Sequence, residues 1–267
     1  MFLHPQHHGV LSADTSMASR AFLLGVAMSA FRFGEFFGSP ILGQISDRYG
    51  RRIVLAIAML ITAAGNLAIA WSIQEDRFWV IIVGQFFIGF VGVLLVLAQA
   101  EVAHHSTGAE KTKQFGLIYM ACSLAYVFAP VLGGHLADVK HHASWASYSL
   151  PFYVSAGISL LCMGLILWRF PNSSPVEKTK GHFQLTRGLS EISEAFRLAP
   201  FRALLIVNFV IYLGIDFVFQ FNPVYFVQKW EFTSSQVGWL LSYTSVSMVA
   251  TQWLLIKPVG KRWGPRT

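Results

Sequence analysis

Seven runs of about 20 mostly apolar residues leave this sequence little choice of fold. They cover 21–45, 53–73, 78–100, 115–136, 150–170, 203–226 and 237–257. A run of that length matches the hydrocarbon thickness of a bilayer. Inside lipid a spanning backbone must satisfy its own hydrogen bonds, which a helix does. The expected fold is therefore all-α, a polytopic transmembrane helix bundle of about seven spans. Only 12% of the residues are charged, about half the share of an average soluble domain. That is too few to clothe a water-soluble surface. Cys122 and Cys162 both sit inside apolar runs, so no disulfide framework is expected.

The spans fall into two groups. The stretch 171–199 is polar and starts with Pro171, Asn172, Ser173, Ser174 and Pro175. It reads as a linker between 1–170, most of an N-terminal helical bundle, and 200–267, the start of a C-terminal one. Fifteen of the 20 basic residues lie on one side of the expected membrane, among them Arg48, Arg51, Arg52, Lys111, Lys113 and the linker residues. Four lie on the other side: Arg20, Arg77, Lys140 and Lys229. Basic loops stay inside, so the linker and C-terminus are expected in the cytoplasm and the N-terminus outside. The net charge of +7 follows from this bias. A nucleic-acid partner is not expected, because the basic residues gather at membrane edges and not on one soluble face.

Between the first two spans the chain reads Gly43-Gln44-Ile45-Ser46-Asp47-Arg48-Tyr49-Gly50-Arg51-Arg52. Gly43 would let a neighbouring backbone come close. Asp47 can accept hydrogen bonds or pair with a base at the turn. Gly50 supplies the permissive backbone that a tight turn needs. The fourth span contains Ala125-x-x-x-Ala129-Pro130-x-x-Gly133-Gly134, small residues at a spacing that allows close helix packing, with a proline to bend the helix. Near the C-terminus, Gly260-Lys261-Arg262-Trp263-Gly264-Pro265-Arg266 looks like a degenerate copy of the first loop, with Lys261 in place of its acid. Internal duplication of this kind is common in transporters.

The first loop closely resembles the G-x-x-x-D-R-x-G-R-R signature of the major facilitator superfamily. The preceding Gly34-Glu35-Phe36-Phe37-Gly38-Ser39-Pro40 resembles helix 2 of its drug–proton antiporter branch, which includes multidrug and tetracycline efflux proteins. The Pro130 segment resembles that branch's helix 5 signature, with alanines at two glycine positions, Ala125 and Ala129. The resemblance implies that the loop braces a cytoplasmic gate, a role that Asp47, Arg48 and Arg52 would inherit. It places the seven spans at family helices 2 to 8 of a partial major facilitator fold. Helix 1 and helices 9 to 12 are expected to lie outside the chain. Two positions depart from the family pattern. Gln85, four residues before Gly89, stands where the family often has an arginine, and it cannot carry charge. His104 stands where an acid near the signature loop is expected, which argues against a charge relay with Arg48.

Ionisable groups in mid-bilayer cost about 2.5–3.5 kcal/mol each on insertion scales, so they are functional candidates by default. Arg32 and Glu35 lie near the centre of the first span, three residues apart, where they can pair. With Ser39 they form a polar stripe expected to face a central cavity. In the sixth span Asn208, Tyr212, Asp216 and Gln220 recur every four residues and form one drifting stripe. Asp216, near the midplane, is the candidate for proton or cation coupling. Asn222 and Pro223 are expected to mark the loosening of this helix. Ser242, Thr244, Ser245, Ser247 and Thr251 crowd the seventh span, where such hydroxyls often bond their own backbone.

The candidate cavity residues are thus Arg32, Glu35, Gln85, Asn208, Tyr212, Asp216 and Gln220. No cofactor is expected, and no metal, since the histidine pairs at His7–His8, His104–His105 and His141–His142 are split across the membrane. The resemblance implies a non-enzymatic protein of the inner (plasma) membrane. Its partners would be a small-molecule substrate, protons and lipid, and its activity secondary active transport by alternating access, with proton-coupled efflux of apolar or amphipathic compounds. The alternative is a non-transporting fragment, or a subunit completed by a partner chain that supplies the missing helices. A seven-helix receptor fits the span count but not the signature loop.

Overall fold

The computed structural model describes residues 16–139, 145–170, 196–197 and 199–262. His7, His8, His141, His142, most of the 171–199 linker and the Trp263–Arg266 end of the repeated loop lie outside the described residues. Among those described there is helix and no strand. The helices are α1 (Met17–Tyr49), α2 (Arg51–Gln74), α3 (Phe78–Phe90), α4 (Leu94–His105), α5 (Gly108–Leu136), α6 (Leu150–Arg169), α7 (Ala199–Trp230) and α8 (Ser234–Arg262).

The all-α expectation holds. Each expected span is helical, but the boundaries differ. α1 runs for 33 residues, about 50 Å at 1.5 Å per residue. It is longer than a hydrocarbon core of ~30 Å is thick. Among the described residues, five segments are long and apolar enough to cross a membrane: Arg51–Gln74, Phe78–Ala103, Lys113–Leu136, Leu150–Arg169 and Arg202–Trp230. α1 and α8 are of spanning length, but charges in the one and hydroxyls in the other dilute their hydropathy.

The expected third span is not one continuous helix. It is two, α3 and α4, separated by a turn at Val91, Gly92 and Val93. There the hydrogen-bond ladder tightens, with Gly92 N–H donating to Gly89 C=O at 2.8 Å. Two glycines remove the side chains that would hold the regular pitch. The sixth span departs the other way. α7 continues through Asn222 and Pro223 to Trp230, so the proline removes one backbone donor without ending the helix.

The chain divides into two compact units. One comprises α1 to α3, α4 up to Glu101, α6 from Phe152, and α7 up to Asn222. Its core has two buried clusters. Leu42, Val54, Leu55, Ala58, Val91, Val93 and Leu97 form one; Ala27, Ile69, Phe78 and Ile81 form the other. α1 packs closely on α3 because neither backbone is kept away by a Cβ at the crossing. A side chain added at Gly34 would overlap Phe86 C=O, one at Gly38 would overlap Phe90 C=O, and one at Gly89 would overlap Phe31 C=O. Backbone contact of this kind supplies the van der Waals packing that lipid-immersed helices depend on. The other unit pairs α5 with α8 and includes the last two turns of α7.

Candidate functional site

Three constellations carry the polar chemistry. The first lies on α1 and α7. Arg32 lies on the 33-residue helix α1 and extends both terminal nitrogens to acids. Nη1 lies 3.0 Å from Glu35 Oε2 on the same helix, and Nη2 lies 2.9 Å from Asp216 Oδ1 on α7. About half of each of the Arg32 and Asp216 side chains is open. The Phe31 ring sits beside the guanidinium, 5.9 Å from Cζ to ring centroid, within cation–π range. Next to this cluster is an open groove of about 650 Å³ lined by Phe22, Val26, Ser29, Phe33, Ile82, Gln220 and Phe221. Its walls are almost wholly apolar, and Gln220 lies one helical turn from Asp216.

The second constellation is the α1–α2 turn. Gly50 adopts φ 88°, as the turn reading expected, and its N–H closes on Ser46 C=O at 3.0 Å. The chain reverses there, and the turn holds Arg51 inward. Arg51 Nη1 lies 2.7 Å from Glu101 Oε2, with only 8% and 15% of the two side chains exposed. Asp47 is a looser partner of Arg51 at 3.9 Å and is exposed. Arg52 donates to Leu167 C=O on α6. The acid opposite the signature loop is therefore Glu101, and the arginine it meets is Arg51. Helical phase accounts for this pairing. Glu101 lies about one turn before His104 and on the face of α4 that the Gly50 turn aims Arg51 towards. Gly43 has an open environment; a side chain there would meet nothing within 4 Å. The close backbone approach expected at Gly43 is seen instead at Gly34 and Gly38.

The third constellation is the α5–α8 seam. A side chain at Gly134 would overlap Ser234 C=O, and one at Gly238 would overlap Pro130 C=O. Ser242 donates to Val127 C=O across the seam. At one end His135 Nδ1 lies 3.2 Å from Ser235 Oγ, and its ring meets Trp239 edge-on at 6.2 Å between centroids. Of the packing motif, Pro130 and Gly134 lie in this contact. Ala125 and Ala129 are exposed, and Gly133 is open.

The profile of the Major Facilitator Superfamily matches residues 10–267. The chain belongs to the major facilitator superfamily. Among the superfamily's curated proteins it is similar to the class B tetracycline resistance protein of Escherichia coli, 21% identical over 91% of this chain and 58% of that protein. It is 24% identical to the class H tetracycline resistance protein of Pasteurella multocida, over 97% of this chain and 62% of the relative. It is 22% identical to the quinolone resistance protein NorA of Staphylococcus aureus, over 80% and 52% respectively. The chain thus spans about three-fifths of the length of the first two. Family membership and the apolar helices make it a multi-pass membrane protein of the major facilitator type.

Within this major facilitator chain the structure brings together Arg32, Glu35 and Asp216, and sets Gln220 beside them. It does not bring in the rest of the α7 stripe. Asn208 donates to Leu204 C=O of its own helix at 3.0 Å, and Tyr212 is exposed. The α8 hydroxyls behave as such residues often do: Thr244, Ser245, Ser247 and Thr251 each donate to the carbonyl four residues back. Sequence reasoning found the Arg32–Glu35 pair and singled out Asp216. It did not see that one arginine serves both acids, because a separation of 184 positions between Arg32 and Asp216 leaves no local signal of contact.

Proposed function

We propose that this chain is a secondary active transporter that exports small apolar or amphipathic compounds in exchange for protons by alternating access. The observation that carries this reading is Arg32 held between Glu35 and Asp216 inside apolar helices, beside an open aromatic groove. Charges at that depth are costly and persist where a transport pathway needs them. The relatives are named for tetracycline and quinolone resistance, and small, largely apolar aromatic compounds suit the groove. Asp216 is the proton-coupling residue in this reading. Asp47, Arg48, Arg51, Arg52 and Glu101 form the cytoplasmic brace around Gly50. The 171–199 stretch is a cytoplasmic linker, the C-terminus is cytoplasmic, the N-terminus is outside, and the membrane is the inner one.

The test is uptake of tetracycline and of a quinolone into inverted membrane vesicles holding the chain, driven by an imposed proton gradient. Gradient-driven uptake that Asp216→Asn abolishes is the expected result. Uptake equal to that of empty vesicles, or unchanged by Asp216→Asn, refutes the reading. A subunit completed by a second chain is the other reading, favoured by α7, whose apolar window buries none of its residues. Cross-linking in native membranes to a distinct chain through α7 would support it.

A further inference from the structure

The groove between α1, α3 and α7 holds two polar side chains in an otherwise apolar lining, Ser29 from α1 and Gln220 from α7. No charged side chain lines it. The nearest charges are already engaged, because Arg32 holds both Glu35 and Asp216. Ser29 lies three residues before Arg32 and Gln220 four after Asp216, each about one helical turn from that cluster. The volume of about 650 Å³ is that of a small-molecule site.

Polar side chains on apolar helices gain by finding a partner, since an unpaired one is costly away from water. Thr62, Ser159, Asn208 and Thr244 each donate to the carbonyl four residues back on their own helix. Ser29 and Gln220 do not. Among the described residues, neither the Ser29 hydroxyl nor the Gln220 amide has a hydrogen-bond partner.

We infer that Ser29 and Gln220 are the specificity-determining residues of this groove, and that they select a neutral aromatic compound with a hydrogen-bonding edge over a lipophilic cation. The Gln220 amide carries both donors and an acceptor, and the Ser29 hydroxyl can act as either. A ligand's amide, ketone or hydroxyl satisfies both side chains while its ring lies along Phe22, Phe33 and Phe221. A site whose polar groups the wrong ligand leaves unpaired discriminates strongly against that ligand. A cation meets aromatic faces, which attract it modestly where they are exposed. It meets no free carboxylate, because one arginine has taken both acids.

This inference rests on the transport reading, which places the substrate in the groove, and narrows the substrate class. Its test reads equilibrium binding, which needs no proton gradient. The probes are tritiated chloramphenicol, neutral and aromatic with an amide and hydroxyls, and tetraphenylphosphonium, a cation without hydrogen-bonding groups. Purified protein in lipid nanodiscs should bind chloramphenicol, and tetraphenylphosphonium should compete poorly. Gln220→Leu should weaken chloramphenicol binding about tenfold, the loss of one hydrogen bond to the ligand, and Ser29→Ala several-fold. A side chain at Gly25 meets nothing within 4 Å, so Gly25→Leu should fill the groove and block binding without disturbing helix packing. Gln220→Glu should reverse the preference, gaining tetraphenylphosphonium binding, which a misfolded variant could not do. No chloramphenicol binding, unchanged affinity in Gln220→Leu or Gly25→Leu, or equal competition by the cation overturns the inference. Binding as described in a protein whose vesicles show no proton-driven uptake overturns the transport reading alone.

Discussion

Arg51 and Glu101 form a buried ion pair at 2.7 Å that joins the start of α2 to α4, with 8% and 15% of their side chains exposed. Removing Glu101 takes the close partner from Arg51 and leaves Asp47, at 3.9 Å, as a looser one, at a cost of up to about 3–5 kcal/mol. Glu101→Ala should therefore lower the thermal midpoint in detergent by many degrees. Asp47→Ala, which removes an exposed partner at 3.9 Å, should cost no more than about 1 kcal/mol. The double change of Arg51 and Glu101 to methionine should recover most of the loss. Equal melting of Glu101→Ala and Asp47→Ala would show that the pair contributes little to stability.

The glycines divide into those that touch a backbone and those that do not. Gly34→Ala, Gly38→Ala or Gly89→Ala would each drive a Cβ into a carbonyl of the facing helix, so α1 and α3 would have to separate. Each should reduce the yield of monodisperse protein severely. Gly43→Ala and Gly133→Ala meet nothing within 4 Å and should be neutral or gain up to about 1 kcal/mol from helix propensity. Size-exclusion profiles of the five variants decide it; a poor profile for Gly43→Ala with a normal one for Gly38→Ala reverses the assignment.

Gly50 holds φ 88° and ψ 143°, a conformation that side-chain-bearing residues avoid. Gly50→Ala should cost about 1–3 kcal/mol in strain. The loss should appear together with weaker Arg51–Glu101 pairing, because the turn sets the direction of Arg51. A melting curve that matches the unaltered protein would mean that the turn relaxes without penalty.

The pKa of Tyr148, between α5 and α6, is raised from its ordinary value of 10.0, first by burial and then by the negative charge of Asp138. A phenol whose pKa is raised on folding favours its neutral form in the folded state. Its stabilising contribution is therefore complete below the unfolded value and is lost as pH rises through the folded one. Alkaline titration followed by tyrosinate absorbance should show one late-ionising phenol that disappears in Tyr148→Phe. In Asp138→Asn it should shift down, though not all the way, since burial remains. An unmoved titration in Asp138→Asn would exclude the charge contribution.

Much of this protein was determined by its sequence alone. Runs of about 20 apolar residues commit the chain to membrane helices, because an unpaired backbone cannot remain in lipid. The Asp47–Arg52 stretch identified the family, and the i,i+3 spacing of Arg32 and Glu35 predicted their pairing, since both signals are local. Gly50 was legible for the same reason. Only the tertiary structure decided which arginine meets which distant acid. The Arg51–Glu101 pair depends on the phase at which α4 presents its residues after the break at Val91–Val93, and the Arg32–Asp216 pair on where α7 lies. Neither is written in the spacing along the chain. The side of α1 that carries Gly34 and Gly38, away from the Arg32–Glu35 stripe, was legible as a packing face from helical spacing, but that these two exclude a Cβ against α3 while Gly43 does not was decided by where α3 lies.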